Sequence, residues 1–139
     1  MDPALLRLLQ LASPMLPIGA FAYSQGLECA FEHEGISDEA ATQRWILGLL
    51  QGPMAALDGP VFARLHAAWA ARDTMGVMRW SRFLIASRET SELRAGEHQL
   101  GGGLARILVS LGIADASEWV SRNGRTYAAI FAPAAARWG

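Results

Sequence analysis

The chain of 139 residues contains no lysine; all twelve of its basic residues are arginine. A phosphate-loop lysine, a Schiff-base lysine and a lysine general base are therefore excluded. Cysteine is nearly absent as well. Cys29 stands alone, so no intrachain disulfide and no cysteine-rich zinc site can form. Excess charge of either sign is missing, with a formal net charge of −1, which removes the electrostatic case for nucleic acid. No apolar run reaches the ~18 residues expected of a membrane span. The start, Met1-Asp2-Pro3, lacks the positive region of a signal peptide. These features lead to the expectation of a cytoplasmic protein that binds neither nucleic acid nor membrane.

Enzyme signatures are equally scarce. There is no Gly-x-Ser-x-Gly elbow and no His-Glu-x-x-His helix, and Ser24 has no evident base. His33, His66 and His98 fall on separate predicted helices. The expectation is a protein that is not an enzyme and has no catalytic residues.

What is present is helical periodicity, with no convincing strand alternation. The spacing predicts an all-α fold, a compact multi-helix domain of six to eight helices over residues 1–139. Asp2 caps a first helix with Pro3 at its first position. The leucines Leu5, Leu6, Leu8, Leu9 and Leu11 imply burial on more than one face, and the Pro14–Pro17 loop ends the helix. A second helix is expected from Ser24 to Glu34, stopped by Gly35. Asp38 caps a third, carrying Trp45, Ile46, Leu49 and Leu50, which Gly52-Pro53 closes. Asp58 caps a fourth through Phe62, Leu65 and Trp69, and Asp73 begins a fifth toward Arg88. A sixth runs from Thr90 to about Gly112. The triple glycine Gly101-Gly102-Gly103 inside it predicts a kink or a very close helix crossing, since each helical glycine costs up to about 1 kcal/mol. Shorter segments follow at Ala116–Ser121 and Thr126–Arg137.

Two blocks stand out from this background. In Ser13-Pro14-Met15-Leu16-Pro17-Ile18-Gly19-Ala20-Phe21-Ala22-Tyr23-Ser24-Gln25-Gly26-Leu27-Glu28, two prolines and two glycines within sixteen residues specify the backbone in detail. On residue types alone it reads as a well-packed connection between two helices. The second block is Ala86-Ser87-Arg88-Glu89-Thr90-Ser91-Glu92-Leu93-Arg94, followed by Gln99 and Gly101. Within it Arg88 and Glu92 form an i,i+4 pair, as do Arg94 and His98, each worth a few tenths of a kcal/mol at most. Buried, these charges would need partners from other helices or from another subunit. Among Trp45, Trp69, Trp80, Trp119 and Trp138, any exposed indole is an interface candidate.

One further constellation bears on metal. Cys29 and His33 lie four apart on one predicted helix, with Glu28 and Glu32 in a row beside them. Thiolate with imidazole suits nickel, zinc or copper, but two ligands do not complete a site, and a lone cysteine is usually a small hydrophobe. Cys29 and His33 are therefore weak metal candidates, and no stable metal site is expected. The alternative they support is a small helical nickel- or zinc-binding delivery protein.

The two blocks, joined by Asp58-Gly59-Pro60-Val61-Phe62-Ala63-Arg64-Leu65, resemble the signatures of the urease accessory protein F (UreF) family. The resemblance covers Leu5 to Leu108 in unbroken order and returns at Ala134–Gly139. It implies a urease maturation factor that scaffolds assembly of the nickel metallocentre by joining UreD (also called UreH), the GTPase UreG and apo-urease, and that forms a homodimer. No cofactor of its own is implied, the nickel being handled by the complex. Carried onto this sequence, the partner-binding or structural residues are Pro17, Gly19, Tyr23, Ser24, Gln25 and Glu28, with Arg88, Glu89, Glu92 and Arg94. The second block also admits an arginine finger toward UreG. Family members continue past the residues that Ala134–Gly139 resemble, so the chain is expected to lack the family's C-terminal part. A truncated paralogue acting only as a helical oligomer is the remaining alternative.

Overall fold

The computed structural model describes residues 2–24, 26–33 and 35–139, with Phe21 described by its backbone alone. It is all-α, with seven α-helices and no strand among the described residues. Helix α1 spans Pro3–Leu11, α2 Leu27–His33, α3 Glu39–Leu49, α4 Gly59–Ala70, α5 Thr74–Ala86, α6 Ser91–Ser110 and α7 Tyr127–Trp138. Short 3-10 turns lie at Ala20–Ala22 and Ala114–Trp119. The predicted second helix thus starts three residues late, because Gly26 takes a left-handed φ of +90° that no helical residue adopts. Its expected last residue, Glu34, lies outside the described residues.

Most starts follow from capping chemistry. The carboxylates of Asp2, Asp38 and Asp73 accept from the backbone N–H groups of Ala4, Ala41 and Gly76, and the hydroxyls of Thr90 and Thr126 accept from those of Leu93 and Ala129. Each satisfies a donor that the first helical turn leaves without an intrahelical partner.

Two sequence expectations fail at the third helix. Gly52-Pro53 does not close it, and Asp58 does not cap a fourth. The backbone instead continues through a π-helical stretch, Leu50–Asp58, directly into α4. Widening the turn to i→i+5 bonding makes room for the Pro53 ring, which an α-helix would press against the carbonyl four residues back. Asp58 sits in the αR region with no side-chain cap, and the Gly59 N–H donates to the Met54 carbonyl. Glu39–Ala70 is consequently one 32-residue helix, long and apolar enough to cross a membrane by length and composition, which the sequence reading had not anticipated.

The core gathers Leu65, Leu84, Leu104, Leu108, Trp119 and Ile130, contributed by α4, α5, α6, the second 3-10 helix and α7. Helix α7 is the hub, packing on α4, α6, α5 and α1. Phe62 and Phe131 meet at 6.0 Å between ring centroids, and Trp69 and Trp119 at 5.9 Å. The Trp69 indole N–H donates to the Ala129 carbonyl at 2.8 Å.

Helix α1 departs from expectation. Only Leu11 is fully buried, while Leu5, Leu6 and Leu9 are each about half exposed. Helix α3 contributes no buried residue and packs substantively only on the π stretch that continues it. It leaves Ile46 and Leu47 exposed, as is Leu50 at the start of the π stretch.

Candidate functional site

The two sequence blocks meet on α6, and glycine is what lets them approach. A Cβ at Gly96 would stand 3.2 Å from the Tyr23 ring, and one at Gly103 would stand 3.1 Å from the Ile18 Cβ. Residues seven apart share a helix face, so this face of α6 is a glycine-floored groove that receives the first block. The Tyr23 hydroxyl donates to the Gln99 side-chain oxygen, closing the groove between the two glycines. Gly19, with φ +82°, supplies the left-handed residue that turns the chain into Ala20–Ala22.

The opposite side of the same glycine run receives the start of α7. A Cβ at Gly101 would lie 3.0 Å from the Thr126 carbonyl carbon, and one at Gly102 would lie 2.9 Å from the Arg125 Nε. The triple glycine therefore marks a close approach, and α6 runs unbroken from Ser91 to Ser110. Arg125 is held there by donating from Nε to the His98 carbonyl at 2.9 Å and from Nη1 to the Arg122 carbonyl at 2.8 Å. Behind it, the buried Ser81 hydroxyl donates to the Gly124 carbonyl at 2.6 Å. That leaves the Thr126 hydroxyl to donate to Ser81 across 3.0 Å while accepting from the Ala129 N–H.

Arg88 is the centre of the second block, and its partners are not the expected ones. Glu92, four residues on, makes no pair with it. The Arg88 Nη2 instead donates to Asp58 Oδ1 at 2.7 Å and to Glu97 Oε1 at 2.6 Å, and its Nε donates to Glu97 Oε1 at 2.9 Å. The second Glu97 oxygen accepts from the Tyr127 backbone N–H at 3.0 Å, at the first turn of α7. One guanidinium thus ties the end of the π stretch, the α5–α6 junction and the α7 start. Burial works against the Arg88 charge, but the hydrogen bonds and charges of Asp58 and Glu97 outweigh it and raise its pKa. The Asp58 side chain, expected as a helix cap, has been recruited to this cluster.

The rest of the block splits by environment. The Arg94 Nη1 donates to the Arg88 carbonyl at 2.7 Å and to that of Glu89 at 3.4 Å, which closes the α5–α6 corner. No Arg94–His98 contact forms among the described residues. Glu92 and Glu89 are exposed. The Glu92 carboxyl is held below its usual range by its own backbone N–H, then by the hydroxyls of Ser91 and Thr90. Of the first block, Pro17, Gly19 and Glu28 are exposed and Tyr23 and Ser24 half-buried, while Gln25 lies outside the described residues.

The two metal candidates lie on one exposed turn of α2. Cys29 Sγ is 3.9 Å from His33 Nδ1, which is itself 3.2 Å from the Cys29 carbonyl and 3.9 Å from Glu32. Among the described residues, no group of three or more histidines, cysteines or carboxylates is placed to hold a metal ion. A surface pocket of about 300 Å³ lies between the α4–α5 turn and the second 3-10 helix, lined by Trp69, Arg72, Asp73, Val77, Asp115 and Trp119. It is remote from both blocks in sequence, and its Asp73 is committed to capping α5.

Sequence reasoning found both blocks but missed Glu97 and Asp58 as the partners of Arg88. Their separations of 9 and 30 residues fit no local pairing rule. The burial of Arg125 against Gly102 was missed as well, although the glycine run signalled that something must approach closely.

This geometry defines a class: an all-helical protein whose two singled-out blocks stitch helices together and present a loop. The comparisons give the family. The UreF family model matches residues 36–139, and the chain belongs to that family. It is 44% identical over 132 residues to the urease accessory protein UreF of Alkalilimnicola ehrlichii, covering 95% of this chain and 58% of the relative. It is 50% identical over 118 residues to the UreF of Pseudomonas putida, covering 85% and 53%, and 50% identical over 111 residues to that of Chromohalobacter salexigens, covering 79% and 48%. The chain spans about half the length of the curated relatives it matches. The family model takes in the second block but not the first, which lies inside the longer Alkalilimnicola ehrlichii match.

Proposed function

We propose that this chain acts as a urease accessory protein, assisting assembly of the nickel metallocentre by scaffolding a complex with a UreD/UreH-type protein and the GTPase UreG, which then engages apo-urease. The observation that carries the reading is family membership over residues 36–139. The architecture is consistent with it, because the singled-out side chains perform structural rather than reactive chemistry. Nickel in this scheme is cargo passing through the complex, and the protein's contribution is positional and non-catalytic. The setting is the cytoplasm, and the protein pairs with a second copy of itself.

Within the complex, the exposed residues of the two blocks are assigned to partner contact: Pro17, Gly19 and Glu28 from the first, Glu89 and Glu92 from the second. Arg88 is assigned to holding the fold, since both of its carboxylate partners are in its own chain. That assignment also removes Arg88 as an arginine finger, which needs a guanidinium free to reach a transferring phosphoryl group. Arg94 is spent on two backbone carbonyls and is removed on the same ground.

The test is co-expression of residues 1–139 with a cognate UreD-type protein and UreG, followed by size-exclusion chromatography with light scattering. A defined complex containing this chain is expected, and Glu89→Ala with Glu92→Ala should weaken it without changing the helical content. A soluble helical chain that elutes apart from both partners would refute the scaffold reading for this segment. The delivery-protein alternative makes the opposite prediction: stoichiometric nickel or zinc on the isolated chain, lost on Cys29→Ser.

A further inference from the structure

The outer face of α4 and α5 carries a cationic and aromatic cluster that neither sequence block includes. Arg64 from α4 and Arg79 from α5 each place a guanidinium carbon 5.0 Å from the centroid of the Trp80 ring. Phe83 stands edge-on to the same indole at 5.9 Å and is itself 47% exposed. Arg82 lies exposed on the next turn, with Met75 exposed one turn before Arg79. Along α5 the exposed positions Met75, Arg79, Arg82 and Phe83 recur at i, i+4, i+7 and i+8, and so form one row of about 12 Å.

The guanidinium groups of this face stack on an aromatic ring and form no ion pair among the described residues. Among the described residues, the carboxylates that pair with arginine are engaged elsewhere: Asp58 and Glu97 with Arg88, and Glu118 with Arg122. Among the described residues, no carboxylate reaches ion-pair distance of Arg64, Arg79 or Arg82. Arg64 makes one backbone contact, donating from Nη1 to the Pro60 carbonyl at 3.1 Å. Stacking on Trp80 holds two planar guanidinium forks in place without neutralising them, so ordering entropy is already spent before a ligand arrives. Arginine, tryptophan, phenylalanine and methionine are also the residues that protein interfaces enrich.

We propose that this face docks a carboxylate-bearing amphipathic helix of a partner protein. Two of its carboxylates, one turn apart, would engage Arg64 and Arg79, and its apolar positions would cover Phe83 and Met75. Carboxylate is the planar oxyanion that the guanidinium fork matches bidentately. The exposed aromatic and thioether side chains beside the forks call for apolar cover, which an extended polyphosphate backbone does not offer. A chain whose net charge is −1 also lacks the broad basic field that nucleic acid binding draws on. The assignment stands independently of the maturation role, because it rests on this face alone.

The test is a proton–nitrogen NMR titration of the 139-residue chain with a synthetic helical peptide carrying glutamates at i and i+4 between leucines. An otherwise identical glutamine peptide and inorganic phosphate serve as comparison probes. The glutamate peptide is expected to shift the Arg64 and Arg79 side-chain Nε–H signals and the Trp80 indole signal. Its Kd should be about tenfold tighter than that of the glutamine peptide, and should weaken about tenfold in the Arg64→Gln, Arg79→Gln double variant. Arg44→Gln, on α3, should leave it unchanged. Phe83→Ala should weaken binding several-fold while leaving the salt dependence intact. If the double variant loses its helical spectrum, Arg79→Lys keeps the charge, removes the fork, and should give an intermediate Kd. Equal binding of the two peptides, no binding at millimolar peptide, or the same shifts from phosphate alone at equal concentration would each overturn the proposal.

Discussion

Replacing Arg88 by alanine probes the reading of the second block most directly. Arg88, Asp58 and Glu97 have side chains only 20%, 27% and 14% exposed, and Arg88 makes three hydrogen bonds of 2.6–2.9 Å to the two carboxylates. Removing the guanidinium leaves two carboxylates close together in a partly desolvated corner. Breaking a buried ion pair from one side costs about 3–5 kcal/mol. The residual exposure of all three groups admits water and reduces this to about 2–3 kcal/mol. For a chain of this size that corresponds to a fall in Tm of about 6–15 °C. Thermal unfolding followed by far-UV circular dichroism, with urea titration at neutral pH, gives both numbers. The origin of the loss is separable. Glu97→Gln in the Arg88→Ala background removes one uncompensated charge and should recover about 1 kcal/mol, a coupling that a double-mutant cycle reads. Arg88→Lys, which keeps the charge but cannot fork between two acids, should fall between wild type and alanine. An Arg88→Ala protein within about 0.5 kcal/mol of wild type would refute the argument and return Arg88 to the interface.

Alanine substitutions along the helical glycines should rank by what each new methyl meets. Gly101→Ala, pressed against the Thr126 backbone, should cost about 1–3 kcal/mol, whereas Gly48→Ala, with open space around it, should gain about 0.4–1 kcal/mol, as denaturant midpoints will show. Burial pushes the Tyr127 phenol above its ordinary 10.0. A raised folded-state pKa means that the stability it contributes is complete below the unfolded value and is lost as pH rises through the folded one. Stability should therefore fall above about pH 10, and Tyr127→Phe should flatten that limb, as urea midpoints measured across pH will show. An alkaline stability limb identical in the variant and the wild type would contradict the burial argument.

Much of the helical plan was legible because its signals are local. A capping aspartate or threonine needs only the backbone N–H two or three residues on, so Asp2, Asp38, Asp73, Thr90 and Thr126 announced their helices correctly. The same logic misled at Gly52-Pro53 and Asp58. Proline and aspartate there carry the ordinary marks of a stop and a start, and a widened turn absorbed one while Arg88 claimed the other. The leucines of α1 misled in a related way, since an apolar residue records the capacity for burial and says nothing of whether a neighbour arrives.

The all-α class, most helix boundaries and the two blocks on which the family resemblance rests could be read without coordinates, because capping, periodicity and motif order are written over a few residues. Only the tertiary structure decided that the blocks are neighbours, with Tyr23 and Ile18 seated over Gly96 and Gly103 while Thr126 and Arg125 press on Gly101 and Gly102. It alone chose Asp58 and Glu97, rather than Glu92, for Arg88. The cause is range: the hydrogen bond between Arg88 and Asp58, 30 residues apart, depends on how the π stretch packs on the α5–α6 corner, and that packing is a sum over the whole core that no short stretch of sequence contains.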